Sequence, residues 1–142
     1  MFGTLDISTS GMIAQRTRIE AAAANIANAE TILDSAGRVN PYRASIVHFA
    51  VGDPGAKTAG ARRMGVHVAA IEKDQGAFNM HWDPDSPYAY QSGPNTGYVP
   101  TPNINPVWEQ VNAMEAARAY EANVMAAEAT KAMTAQALRL LA

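Results

Sequence analysis

Glycine and proline are distributed so unevenly along this chain that they set its architecture. All eight prolines lie between Pro41 and Pro106, and eight of the ten glycines lie between Gly37 and Gly97. Proline removes a backbone donor and clashes with the preceding turn, and glycine carries the largest entropy loss on ordering. The two ends are therefore free to form long helices, and the middle is not. The expectation is an α+β fold. Residues 1–31 and 105–142 form two long terminal helices, and residues 32–104 form a small β-rich middle module with long loops.

The N-terminal helix is expected from Leu5 to Ala29. Leu5, Met12, Ile19 and Ile26 recur at a seven-residue interval, a single heptad position. The companion position is Ser8, Gln15, Ala22 and Ala29, small enough for a partner helix to approach closely. Gly11 weakens helix propensity by ~1 kcal/mol, so a kink or fraying is expected before it. The C-terminal helix has a sharper start: Asn105 suits the N-cap, and Pro106 the first helical position, where its missing N–H is no loss. From Val107 to Ala142 run 36 residues without glycine or proline, twelve of them alanine. Val107, Val111, Met114, Ala117, Val124, Leu138 and Leu141 follow three-four spacing with interruptions. A helix of ~54 Å with so few large side chains needs neighbours on more than one face.

In the middle, Tyr42–Val51 alternates imperfectly, with Arg43, Ser45, Val47 and Phe49 on one face. Gly65–Ile71 is the clearest strand, and Gln75–Trp82 reads as a third. Gly52–Met64 reads as a mobile loop carrying a small basic patch of Lys57, Arg62 and Arg63, and Gln91–Asn105 as turns and extended chain.

Composition narrows the function. A formal charge of −2 supplies no basic field and argues against a nucleic-acid partner. Without cysteine there are no disulfides, thiolate metal sites or cysteine nucleophile, which fits a chain that crosses an oxidising compartment. No apolar run approaches the ~18 residues of a membrane span, so direct membrane insertion is not expected. Met1–Ser10 has no basic start followed by an apolar core, so any export is expected without a cleavable signal peptide. His81, Asp83 and Asp85 form the best enzyme-like cluster, but the prolines around them give the spacing of a turn. No Gly-x-Ser-x-Gly elbow, phosphate loop or dinucleotide fingerprint occurs. No catalytic, cofactor-binding or metal residue is assigned, and no cofactor is expected.

Three stretches carry a resemblance. The first is Ser10-Gly11-Met12-Ile13-Ala14-Gln15-Arg16-Thr17-Arg18, followed by Ala24-Asn25-Ile26-Ala27-Asn28-Ala29-Glu30-Thr31. The second is Tyr98-Val99 with Pro102-Asn103-Ile104-Asn105. The third is Arg118-Ala119-Tyr120-Glu121-Ala122-Asn123, with Lys131-Ala132-Met133 and Ala137-Leu138 behind it. Together with Gly65-Val66-His67-Val68 and Asp83-Pro84-Asp85-Ser86-Pro87, they resemble the rod and hook proteins of the bacterial flagellum, and among these the proximal-rod proteins of the basal body. Where that pattern shows two adjacent asparagines, this chain has Ala24-Asn25.

The resemblance implies a structural, non-enzymatic subunit of the proximal rod spanning the periplasm. Its terminal helices, residues 1–31 and 105–142, would be paired as a coiled coil in an inner layer around a central channel. Its partners would be other copies of itself, related rod proteins and the flagellar export apparatus. The expected assembly interface draws on Leu5, Met12, Gln15, Arg16, Ile19, Asn25, Ile26 and Asn28 of the first helix. From the second half it draws on Asn103, Asn105, Met114, Arg118, Tyr120, Glu121, Asn123, Val124 and Leu138. Asn25 and Asn28 would satisfy backbone groups near a helix end or bridge subunits. Arg118 and Glu121, three apart, would pair with each other or across an interface. Two other readings are a helical adaptor or secretion chaperone that binds one client, and a metal-dependent cell-wall hydrolase built on His81, Asp83 and Asp85.

Overall fold

The computed structural model describes residues 2–55, 60 and 64–141. The patch of Lys57, Arg62 and Arg63, and with it most of the Gly52–Met64 loop, lies outside the described residues. The elements run α1 (Phe2–Ala27), β1 (Ser45–Val51), β2 (Val66–Lys73), β3 (Asn79–Trp82), β4 (Tyr98–Thr101) and α2 (Pro106–Leu141). The fold is thus α+β, two long helices with two small antiparallel sheets.

The two helices lie antiparallel. Asn25 near the end of α1 meets Glu109 near the start of α2, Arg18 meets Asn112 and Glu115, and Gly11 meets Asn123. The seam between them is made of small and polar residues. Ala14, Ala22 and Ala116 are buried, with Ser8 and Asn25. At the Leu5, Met12, Ile19 and Ile26 heptad position the side chains are larger and less covered: the first three are half-buried and Ile26 is exposed. Small side chains win the centre because they let the two backbones come close, where large ones would hold them apart.

Gly11 shows how close. A Cβ on it would sit 2.8 Å from the Asn123 side-chain oxygen. The helix runs unbroken from Phe2 through Gly11, so the expected fraying before it does not occur, and the glycine is a point of close approach. The far end of α1 stops at Ala27, two residues short of the expected Ala29. There the Asn28 amide turns back to donate to the Ala24 carbonyl at 2.8 Å and accepts from Thr31 Oγ1 at 3.2 Å. At the start of α2 the Asn105 side chain accepts from the Val107 N–H at 3.0 Å, the expected cap ahead of Pro106.

β1 and β2 form a hairpin laid along α1. Their register runs from Ser45 opposite Lys73 to Val51 opposite Val66, and Ala69 is the extra residue of a bulge between His48 and Phe49. Both ends of the hairpin are tied to α1: Ser10 Oγ accepts from the Val66 N–H at 3.1 Å, and Ser45 bonds to Asn25. Before β1, a tight turn closes on Asp34, whose carboxylate accepts from the N–H groups of Ala36 and Arg38. The Arg38 backbone donor chiefly, with the Arg38 guanidinium and the Ala36 N–H, holds this carboxyl below the usual aspartate range, against the opposing pull of burial.

The second sheet corrects the sequence reading. Within the Gln91–Asn105 stretch, read as turns and extended chain, residues Tyr98–Thr101 form a strand, β4, which pairs antiparallel with β3. Pro100 sits within β4 and is buried; proline is tolerated in such a two-stranded sheet because one edge of each strand needs no donor. Trp82 and Tyr98 meet edge to face at 4.9 Å between ring centroids. The Trp82 ring also lies over Gly97, where φ is +83° and a Cβ would approach the ring to 2.7 Å. Both needs select glycine there.

Candidate assembly site

Asn25, buried near the end of α1, makes side-chain hydrogen bonds to three elements or loops of the fold. Its side-chain oxygen accepts from the Ser45 N–H at 2.8 Å while its amide nitrogen donates to the Ser45 carbonyl at 3.1 Å. The side chain thus imitates a neighbouring strand at the free edge of β1. The same amide donates to Glu109 Oε2 at 3.0 Å, and the Tyr42 hydroxyl reaches the oxygen at 3.5 Å. One buried carboxamide therefore joins α1, α2 and β1, with all its hydrogen-bonding capacity used inside the subunit. Asn28 and Asn105 are likewise occupied at helix ends. Asn123 donates to the Ala119 carbonyl at 2.8 Å and lies half-buried in the helix seam beside Val124.

Other predicted residues remain outside. Arg16 is exposed and paired with Glu20 at 2.8 Å. Arg118, Tyr120 and Glu121 are exposed on α2, as are Met114 and Leu138. Asn103 is exposed ahead of the α2 cap. Arg118 and Glu121 do not pair with each other, and among the described residues neither has an ion-pair partner. Gln15 is half-buried in the seam, with its side-chain oxygen buried and unbonded among the described residues.

Sequence reasoning missed two groups. Ile13 and Met125 stand 62% and 64% exposed on the outer sides of α1 and α2. They belong to no heptad of large residues, and their placement becomes legible only once the small-residue seam has been located. The second group is Met133 and Leu140, exposed near the C-terminal end of α2.

Two open grooves flank the helix pair. One of about 310 Å³ lies between β1 and the helices, and one of about 540 Å³ lies beside Asn79, His81 and Pro106. Among the described residues no three histidine, cysteine, aspartate or glutamate side chains gather where a metal could bind. Among the same residues no helix is long and apolar enough to cross a membrane.

A two-helix unit with a tight inner seam and apolar outer faces, carrying a small β module, is the build of a structural subunit. Comparison with known families agrees. Residues 5–31 match the flagella basal body rod protein family, and residues 95–140 match the C-terminal family of flagellar basal body rod FlgEFG proteins. The flagellar basal-body rod protein FlgC of Borreliella burgdorferi is 37% identical over 150 residues, covering 99% of this chain and 97% of that protein. FlgC of Bacillus subtilis is 34% identical over 151 residues, covering 98% and 97%. FlgC of Escherichia coli O157:H7 is 37% identical over 141 residues, covering 99% and 97%. The chain belongs to the FlgC family of flagellar basal-body rod proteins; it is a structural rod subunit and not an enzyme.

Proposed function

We propose that this chain builds the proximal part of the rod by side-by-side packing of its paired terminal helices, with copies of itself and with related rod proteins. Residues 1–31 and 105–142 then form an inner coiled-coil layer, and the 32–104 module stands outward from it. The subunit reaches its place in the periplasm through the flagellar export apparatus. The observation that carries this reading is the pair of helices that use small residues toward each other and leave larger apolar side chains facing out. Met125, Leu138 and Ile13 are each more than 60% exposed, a pattern expected of a subunit completed by neighbours.

Purified basal bodies from the source bacterium test it. The chain should be present in them by mass spectrometry, and deleting it should leave cells without rods and unable to swim. Absence from basal bodies, or normal swimming after deletion, overturns the reading. A discrete soluble complex with one client, in place of a tubular assembly, would mark an adaptor instead.

A further inference from the structure

The outer faces of the two helices carry matching patterns. On α2 the residues that meet α1 are Glu109, Asn112, Ala116 and Asn123. At ~100° per residue, Met114, Arg118, Glu121 and Met125 fall on the opposite side. On α1 the residues toward α2 are Gly11, Arg18, Ala22 and Asn25, and Ile13, Arg16, Glu20 and Ala23 fall opposite. The helix pair is therefore a lath with two outward edges, each carrying one basic and one acidic residue between smaller or apolar ones.

We infer that the α2 edge of one copy docks on the α1 edge of a second copy, with Arg118 on Glu20 and Glu121 on Arg16. The inference rests on the rod reading, in which neighbouring subunits point the same way along the axis. Because α1 and α2 are antiparallel within the chain, α2 then meets its neighbour's α1 antiparallel too. Read along the axis, Met114-Arg118-Glu121-Met125 passes Ala23-Glu20-Arg16-Ile13. Every pair in that order is complementary: apolar on apolar at both ends, and opposite charge on opposite charge in between.

Charge also fixes the register. Inside the chain Gly11 lies level with Asn123, which places Arg118 level with Arg16. A neighbour at the same level would set these two arginines against each other. Two turns of offset would set Glu121 against Glu20. One turn of offset, four residues or ~6 Å along the helix, pairs both charges with their opposites. Arg16 and Glu20 already form an exposed ion pair, so docking creates an alternating network of four charges. Such a contact joins different surfaces on the two copies and does not close on itself. Repeated with a constant offset, it generates a spiral wall.

The absence of native cysteine makes the test clean. A chain carrying both Ile13→Cys and Met125→Cys should, when basal bodies containing it are oxidised, give a ladder of dimers, trimers and larger species. Ala23→Cys with Met114→Cys should do the same, which guards against one pair failing to fold. Ile13→Cys with Met114→Cys, ~16 Å out of register, should give no ladder. In a second arm, Arg118→Glu should reduce incorporation into basal bodies at least tenfold, and Glu20→Arg in the same chain should restore it. Incorporated chains that give no ladder from either in-register pair overturn the docking mode while leaving the rod reading intact. So does a ladder from the out-of-register pair. Absence of the unsubstituted chain from basal bodies would overturn the rod reading itself.

Discussion

Asn25 ties α1 to both α2 and β1, because a carboxamide can donate and accept in one plane. Replacing it by alanine strands the Ser45 N–H and carbonyl and removes a donor from the Glu109 carboxylate, all in a site where Asn25 is only 2% exposed. Each buried group left without a partner costs roughly 1–3 kcal/mol. Asn25→Ala should therefore destabilise the isolated chain by about 2–4 kcal/mol in a urea melt. Asn25→Asp should be worse at neutral pH, since it places a carboxylate against both the Ser45 carbonyl and Glu109. A change below about 0.5 kcal/mol for the alanine variant would show that the three-way junction is not a unit. The sequence marked Asn25 as a special position through its motif. It could not say that the partners were a strand edge 20 residues away and a glutamate 84 residues away, since no spacing rule links those positions.

At the scale of elements, both helices and three of the four strands were legible, because glycine and proline placement and the alternation around Val47 and Val68 are local signals. What escaped was set by tertiary contact. β4 contains Pro100 and reads as extended chain until β3 lies beside it. The helix seam was legible in part. The companion position marked Ser8 and Ala22, which are buried, but Gly11 read only as a weak point in the helix, whereas close approach selects it along with Ala22 and Ala116. That close approach is measurable. Alanine is the better helix former by ~1 kcal/mol, yet Gly11→Ala should lower stability by about 1 kcal/mol, because its Cβ displaces the Asn123 amide from its bond to Ala119. In an Asn123→Ala background the same substitution should raise stability by about 1 kcal/mol. A double-mutant cycle with no coupling would mean that the helices separate freely at this crossing.

At the scale of the whole molecule, the two helices do not match in length: α1 has 26 residues and α2 has 36. Extending the pairing outward from Gly11 and Asn123 brings the start of α1 level with residue 132. The last turns of α2 therefore project ~14 Å past the end of their partner. An isolated segment of this length is marginal as a helix in water, and this one is not polar. Leu138 is 63% exposed and Leu140 88%. In the rod assembly proposed above, a helical end that is apolar and uncovered within the subunit is stabilised by a neighbour along the axis. Deleting residues 133–142 should consequently leave the unfolding midpoint of the isolated chain nearly unchanged, within about 1 kcal/mol, because little of the internal seam is removed. The same deletion should abolish incorporation into basal bodies and swimming. Full motility with the truncated chain would mean that the projecting end contributes nothing to assembly. A large loss of stability in the isolated chain would mean instead that the projection folds back onto its own subunit.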